Sequence, residues 1–315
     1  LGHFLISLLK TLSHFFHKKC RNCRLYTLWQ WTFYGIIDVG VDIMTKKIVA
    51  IGGGENGRVK SDGTQAPYET GPMDQEIIKL TEKEHPNFLF LAHSQLQSLD
   101  AQDFYFQTMK NIYGGKYNCE CKMLRSDRIH DKEYVQSLVD WADIIYEGGG
   151  NTLDMIELWK TSGFDEILKR AWENGKVLCG VSAGANCWFE ECSSDSLKIK
   201  YGSDQPLIAM DCLGFQKGFF VPHSDEPGRR ESVKDLLKGK DKVGLLLSNC
   251  TALEIVDDEY RIITSDATSH NITPFALKTY WQDNEYVEEQ IDLSSEYKKV
   301  SNLYKKGNYI KVVKK

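Results

Sequence analysis

From residue 44 onward, short apolar runs alternate with longer segments that carry a helical pattern of apolar residues. The apolar runs predict buried strands, and the segments between them predict helices. The predicted strands are Ile48–Ile51, Phe88–Ala92, Tyr117–Leu124, Ile144–Tyr146 and Val177–Cys179. The predicted helices are Met73–Glu84, Ala101–Tyr113, Lys132–Trp141 and Thr152–Asn174. This alternation predicts an α/β fold with a single doubly wound, mainly parallel sheet and helices on both of its faces.

After residue 182 the pattern changes to shorter apolar runs, which predict short strands, some of them in hairpins. The predicted strands in this part are Phe219–Pro222, Gly244–Ser248, Ala252–Val256, Tyr260–Thr264 and, in the lysine-rich tail, Tyr309–Val313. No internal repeat or low-complexity linker interrupts the pattern, so we predict one α/β domain over residues 44–315.

The first 43 residues differ in character from the rest of the chain. Met44 is followed by a charged start, a predicted strand and a glycine turn, as at the beginning of many α/β proteins. Our hypothesis is that residues 1–43 are a non-native or disordered extension outside the fold. A membrane anchor and a zinc half-site are the alternatives. The apolar stretch Phe4–Phe16 is too short to span a bilayer, and the Cys20/Cys23 pair has no second pair nearby.

Composition narrows the class of protein. The chain has 315 residues, of which 42% are hydrophobic and 26% charged, as in ordinary globular proteins. A net charge of −5 gives no basic footprint for nucleic acid. Nine cysteines without a regular framework, and no signal peptide pattern, favour the reducing cytoplasm. We expect a cytoplasmic monomer or homodimer that binds neither nucleic acid nor membrane.

The pentapeptide Gly180-Val181-Ser182-Ala183-Gly184 follows a predicted strand and precedes further small residues. A G-x-S-x-G motif between a strand and a helix is typical of a nucleophile elbow, where small flanking residues permit a tight turn with the serine hydroxyl exposed at its tip. The helix N-terminus behind the serine points backbone N–H groups at the place where an oxyanion would form. We therefore predict Ser182 as a nucleophile and the N–H of Ala183 as an oxyanion donor.

A serine nucleophile needs a base, and histidine is the usual one. His223 ends a hydrophobic run and precedes a polar turn, which places it at the sheet edge where the elbow is expected. We predict His223 as the base for Ser182. An acid should orient the histidine, and we favour Asp195, in a polar turn just after the elbow helix. The other acids between the two residues are Glu190, Glu191, Asp204 and Asp211.

A second glycine cluster, Gly148-Gly149-Gly150, follows the fourth predicted strand. Glycines let backbone N–H groups approach a ligand closely, so Gly149 or Gly150 is predicted to supply the second oxyanion donor. Asn151 is the predicted cap of the next helix and a candidate substrate-binding residue. The cluster lacks the ending of a P-loop and the spacing of a dinucleotide site.

Four segments occur in an order that resembles the dipeptidase E / cyanophycinase family of serine peptidases. They are Ile48–Gly54, Gly148–Thr152, Gly180–Asn186 and Val221–His223. The resemblance extends from about residue 44 to about residue 264. It implies a class I glutamine amidotransferase-like (flavodoxin-like) fold, with serine in place of the cysteine of those enzymes.

The resemblance also implies a function. A member of this family would use a triad of serine, histidine and aspartate or glutamate to cleave small peptides, often with an N-terminal aspartate, without metal or organic cofactor. Carried over by motif, Ser182 matches the nucleophile and His223 the base. An arginine beyond the histidine would bind the aspartyl carboxylate, and Arg229 and Arg230 are the candidates.

Three other interpretations remain open at this point. An esterase or lipase also uses G-x-S-x-G, although its histidine normally lies near the C-terminus, where only His270 could serve. A non-catalytic binding module of amidotransferase-like fold would not need Ser182 or His223. An amidotransferase would need a cysteine at the elbow tip, where this chain has serine.

Overall fold

The structure, a computed structural model, describes residues 44–60 and 62–307. Its strands, in chain order, are β1 Lys47–Ile51, β2 Asn87–Phe90, β3 Glu120–Met123, β4 Ile144–Glu147, β5 Val177–Val181, β6 Phe189–Ser194, β7 Ile208–Asp211, β8 Gln216–Val221, β9 Gly244–Leu247, β10 Thr251–Val256, β11 Glu259–Thr264, β12 Ala276–Gln282, β13 Glu285–Gln290 and β14 Lys298–Lys299. Its α-helices are α1 Gly71–Lys79, α2 Leu99–Tyr113, α3 Lys132–Trp141, α4 Thr152–Ser162, α5 Phe164–Glu173, α6 Ala183–Asn186, α7 Ser196–Tyr201, α8 Arg229–Leu236 and α9 Ser301–Tyr304.

The larger sheet has eight strands in the order β14-β11-β10-β1-β5-β4-β2-β3. The pairs β1/β5, β4/β5, β2/β4 and β2/β3 are parallel, whereas β10 is antiparallel to β1 and to β11. The five parallel strands are the five that the apolar runs of the first half predict. The α/β class and the short C-terminal strands are thus confirmed.

Alternate residues of β1 face the two sides of this sheet. Ile48 and Ala50 belong to one buried apolar cluster, which includes Trp159 of α4. Val49 and Ile51 belong to a second cluster, which includes the helical residue Tyr113. A strand that is buried on both faces has to be apolar at every position, and this is why the run appears continuous in the sequence.

The structure adds a second sheet, of six strands in the order β13-β12-β9-β8-β6-β7, which corrects the expectation of a single sheet. Four of its strands, β6, β7, β12 and β13, escaped prediction. The sequence of β6 carries glutamates and serines, and that of β13 alternates weakly. The β12–β13 hairpin turns at Asp283 and Asn284, both of which have positive φ. Such a pair is a turn signal that the apolar pattern alone does not register.

The predicted helix Thr152–Asn174 is two helices, α4 and α5. Gly163 lies between them with φ of 74°, the left-handed conformation that ends a helix. No helix among residues 44–60 and 62–307 is long and apolar enough to cross a membrane. The predictions for residues 1–43 and for the tail strand Tyr309–Val313 lie outside the described residues.

Candidate active site

A sharp elbow joins β5 to α6, with Ser182 at its tip. Ser182 has φ of 56° and ψ of −110°, a conformation that non-glycine residues rarely adopt. A Cβ on Gly180 or Gly184 would lie 2.5 or 2.1 Å from the carbonyl oxygen of Glu147. The two glycines of the pentapeptide are therefore required by the close approach of the elbow to β4.

Ser182 lines a cavity of about 510 Å³ at the carboxyl ends of the parallel strands, and His223 lines the same cavity. Among the described residues, no hydrogen bond to Ser182 Oγ is formed, so the hydroxyl is open to the cavity. Catalytic hydrogen bonds are often long in structures without substrate. The structure thus brings the predicted nucleophile and the predicted base to one site from segments 41 positions apart in the chain.

His223 follows β8 and is oriented by polar neighbours. Its Nδ1 lies 2.8 Å from Asn249 Oδ1 and 3.4 Å from Glu226 Oε1. Burial lowers the pKa of His223 below its usual 6.5, while the Glu226 carboxylate acts in the opposite direction. The imidazole is therefore held in its neutral form at neutral pH, as a general base must be.

Asn249 can present only one of its two amide atoms to the histidine. Its Nδ2 donates to Asp225 Oδ2 at 2.9 Å, and its backbone N–H donates to Asp225 Oδ1 at 2.6 Å. A carboxylate accepts only, so the Asn249 NH₂ has to face Asp225 and the carbonyl oxygen has to face His223. That oxygen needs a donor, which places the imidazole proton on Nδ1 and leaves Nε2 free to accept one.

The favoured acid, Asp195, does not contact the histidine, and this assignment is corrected. Asp195 Oδ2 accepts from Arg229 Nη2 at 2.6 Å instead.

The other acids that the sequence offered for this role have other partners or are exposed. Glu190 accepts from the Gly218 N–H, Glu191 pairs with Lys240 and Lys242, and Asp204 and Asp211 are exposed. Sequence reasoning missed Asn249, although a polar residue two positions after the buried strand β9 was the available signal.

The glycine loop after β4 lies against the elbow, and a Cβ on Gly149 would be 3.4 Å from Ser182 Cβ. The Gly149 N–H donates to Tyr105 Oη at 3.2 Å. Among the described residues, the N–H groups of Gly150 and Ala183 have no such partner. Of the two predicted loop donors, Gly150 is therefore the one that is free to bind an oxyanion.

The Glu147 side chain stabilises this loop through hydrogen bonds from backbone N–H groups. Its fully buried carboxylate accepts from the backbone N–H groups of His93, Ser94 and Gly148 at 3.0 to 3.2 Å. Burial raises the pKa of Glu147 to about 8. The segment after β2 and the start of the glycine loop are thus joined by a single side chain.

The three predicted substrate-binding residues have other partners. Arg229 pairs with Asp195, and Arg230 forms a two-pronged pair with Glu288 at 2.6 and 3.0 Å. Asn151 caps α4 by accepting from the Asp154 N–H. None of the three is among the residues that line the cavity, so their role in substrate binding stays a prediction.

The cavity has a different cation at its wall. Of the described residues that line it, Arg58 is the only arginine or lysine. Arg58 lies between β1 and α1, and its Nε is 3.0 Å from Glu55 Oε2. Its side chain is 56% exposed, so the guanidinium can also reach a ligand. No local pattern indicates this placement, because Arg58 lies in an irregular loop far from the elbow in the chain.

Fold and cavity define an α/β protein with a strained serine elbow at the carboxyl edge of a parallel sheet. The sequence model of Peptidase family S51 matches residues 48–263. An uncharacterized peptidase of Bacillus subtilis (strain 168), YgaJ, is 34% identical over 219 residues, which cover 68% of this chain and 85% of that protein. The chain belongs to Peptidase family S51, and the resemblance to the dipeptidase E / cyanophycinase family is confirmed.

One solved structure supports the fold, and a second has a lower TM-score. A peptidase from an acI-B1 Actinobacterium has a TM-score of 0.56 and 18% identity, with 82% of this chain and 98% of that chain covered. A putative peptidase E protein from Listeria monocytogenes EGD-e has a TM-score of 0.49 and 16% identity, with 70% and 100% covered. At such identity the first of these supports the fold alone.

Proposed function

We propose that this member of the family is a serine-type peptidase that hydrolyses small peptides through an acyl-enzyme on Ser182. The observation that carries the proposal is the elbow itself. A serine held at φ of 56° opens its hydroxyl to the same cavity as His223. Backbone strain of this kind costs about 1–3 kcal/mol and persists where the surrounding structure imposes it, often at active sites.

In the proposed reaction, His223 Nε2 takes the Ser182 proton as the hydroxyl oxygen attacks the scissile carbonyl. Asn249 keeps the other imidazole proton on Nδ1 and stabilises the imidazolium as it forms. The N–H groups of Gly150 and Ala183 bind the oxyanion, and the loss of one such donor typically costs about 3 kcal/mol. His223 then gives its proton to the leaving amine, and water reverses the sequence to release the acid.

The charges around the cavity favour a short peptide with a free N-terminus. Glu226 lies beside the base and is 46% exposed, so its carboxylate is available to bind a substrate ammonium group. Arg58 is available for a substrate carboxylate, either an aspartyl side chain or the C-terminus of a dipeptide. In this proposal Arg58 takes the role that the sequence assigned to Arg229 or Arg230.

Hydrolysis of a dipeptide panel by the full chain tests the proposal. The panel is Asp-Leu, Glu-Leu, Ala-Leu and Leu-Leu, with Asp-Leu-amide to separate the two kinds of carboxylate. We expect turnover that disappears in Ser182→Ala and persists in Ser137→Ala, an exposed helical serine. Turnover that survives in a folded Ser182→Ala variant, or no turnover on any peptide, would contradict the proposal.

Arg58→Met resolves the specificity. If Arg58 binds an aspartyl side chain, the variant loses its preference for Asp-Leu over Ala-Leu, and Asp-Leu-amide remains a good substrate of the parent. If Arg58 binds the C-terminus, the amide is a poor substrate of the parent, and the variant raises KM for every dipeptide alike. An unchanged KM across the panel would exclude Arg58 from both roles.

A further inference from the structure

One group of metal-ligating side chains lies beside the cavity and has no part in the proposed reaction. Glu69, Cys250 and His270 place a carboxylate oxygen, a thiol sulfur and an imidazole nitrogen within 4.8 Å of one another. The three residues come from the segment before α1, the turn before β10 and the loop after β11. They converge only in the folded chain, and His270 also lines the cavity.

The carboxylate of the group is buried and oriented. The Glu69 side chain is 2% exposed, and its Oε1 accepts from the N–H and the hydroxyl of Ser269 at 2.9 and 2.6 Å. Its Oε2 accepts from the Glu55 N–H at 2.9 Å and lies 3.2 Å from His270 Nε2. Hydrogen bonds of this type fix metal-ligating carboxylates in proteins.

The ligand atoms of His270 and Cys250 lie near the Glu69 carboxylate. His270 Nε2 is buried and lacks a hydrogen-bond partner of good geometry, although it lies close to Glu69. The Cys250 side chain is fully buried, and its backbone is fixed by a hydrogen bond from its N–H to the Gly53 carbonyl at 3.0 Å. A buried imidazole nitrogen that forms no hydrogen bond, within 4.8 Å of a carboxylate oxygen and a thiol sulfur, is an arrangement that a cation would satisfy.

The chemistry of the three ligands selects the ion. Ca²⁺ and Mg²⁺ prefer oxygen ligands alone, whereas Zn²⁺ combines thiolate, imidazole and carboxylate. Zinc–ligand bonds of about 2.0–2.3 Å in a tetrahedron put the ligand atoms about 3.3–3.8 Å apart. Closure of the group onto an ion therefore needs a side-chain movement of about 1 Å.

We propose that Glu69, Cys250 and His270 form a binding site for one Zn²⁺ ion, with the fourth position open to the cavity. Coordination would release the thiol proton to solvent and leave a thiolate–zinc bond. The ion would join three segments that are otherwise held by hydrogen bonds, and so it would stabilise the wall of the cavity. The site does not depend on the peptidase mechanism proposed above.

Metal binding by the full chain tests this site. Cys20 and Cys23 could bind zinc independently, so the experiments use the Cys20→Ser/Cys23→Ser background. We expect one equivalent of Zn²⁺ after dialysis, measured by mass spectrometry of the metal. Titration with Co²⁺ should give the near-ultraviolet charge-transfer band of a thiolate–cobalt bond. No stoichiometric zinc, or cobalt binding without that band, would overturn the proposal.

Matched variants assign the ligands. Cys250→Ser should abolish the thiolate band and weaken Zn²⁺ affinity about 100-fold or more, because even partners outside the ligand set contribute about 10- to 100-fold. Cys121→Ser and His130→Gln, which lie elsewhere, should leave both readouts unchanged. If Cys250→Ser does not fold, His270→Gln in its surface loop should still show the weakened affinity. Equal affinity in His270→Gln and its parent would overturn the assignment.

Discussion

The orientation of the Asn249 amide can be tested through Asp225, which is not among the residues that line the cavity. Asp225 accepts from the Asn249 backbone N–H at 2.6 Å and from Nδ2 at 2.9 Å. In Asp225→Asn, the single oxygen of the new amide still accepts from the Asn249 backbone N–H. Its NH₂ group then faces Asn249 Nδ2. Two donors then face each other, and rotation of the Asn249 amide by about 180° removes the conflict.

That rotation has a consequence at the histidine. The Asn249 NH₂ would donate to His223 Nδ1, the imidazole proton would move to Nε2, and the ring could no longer accept from Ser182. A misplaced hydrogen bond of this kind is worth about 1–3 kcal/mol. At 1.36 kcal/mol per factor of ten, the expected loss of kcat is about 5- to 150-fold.

Kinetics on the best dipeptide of the panel would measure this effect. We expect kcat to fall and KM to stay nearly constant, because Asp225 does not contact substrate in this proposal. In the double variant Asp225→Asn/Asn249→Asp, the carboxylate at position 249 accepts both from His223 Nδ1–H and from the NH₂ of the amide at position 225. The double variant should therefore recover most of the lost kcat. Asp258→Asn, in an exposed turn, is the control.

Two results would refute the reasoning about the amide. One is wild-type kcat in Asp225→Asn. The other is a double variant that folds, as shown by circular dichroism and thermal unfolding, but is no more active than the single variant. Either result would mean that the tautomer of His223 does not depend on the polarity of its neighbours.

Three further predictions concern the base, the loop and the elbow. Activity should fall as pH drops through the pKa of His223, which burial places below 6.5. The Glu226 and Asp195 carboxylates raise this pKa, whereas Arg229 lowers it. Glu226→Gln removes one of the two raising charges, so it should move the acidic limb of kcat/KM to still lower pH. Tyr105→Phe removes the acceptor of a loop N–H and should lower kcat about 2- to 12-fold, the worth of one neutral hydrogen bond, whereas unchanged kcat would show that the loop needs no such support. Gly184→Ala should cost about 3 kcal/mol or more of unfolding free energy in a denaturant titration, since its Cβ would lie 2.1 Å from a backbone oxygen, and wild-type stability would contradict the steric crowding at the elbow.

Local sequence signals predicted much of the candidate site. The pentapeptide around Ser182 predicts its own backbone conformation, because glycines on both sides of a serine permit a tight turn that larger residues would prevent. His223 could be selected because it ends an apolar run, although that run is β8 of the second sheet and not a strand of the sheet that carries the elbow. Assignment of catalytic roles to these two residues stays a prediction.

The partners of these residues could not be predicted in the same way. Asp195 was favoured because it is close to the elbow in sequence, whereas the structure pairs it with Arg229. The neighbour of His223 is Asn249, which comes from the end of another strand. Proximity in sequence is a poor guide to which polar side chains meet, because strand order decides which loops lie side by side.

The sequence alone determined the α/β class, the five parallel strands and the elbow, since burial on both sheet faces and a tight turn leave direct marks on residue type. The tertiary structure alone decided the second sheet, the Asn249–Asp225 support, the placement of Arg58 and the convergence of Glu69, Cys250 and His270. These features depend on contacts between segments distant in the chain, and apolar periodicity records only whether a position is buried, not which side chain it meets.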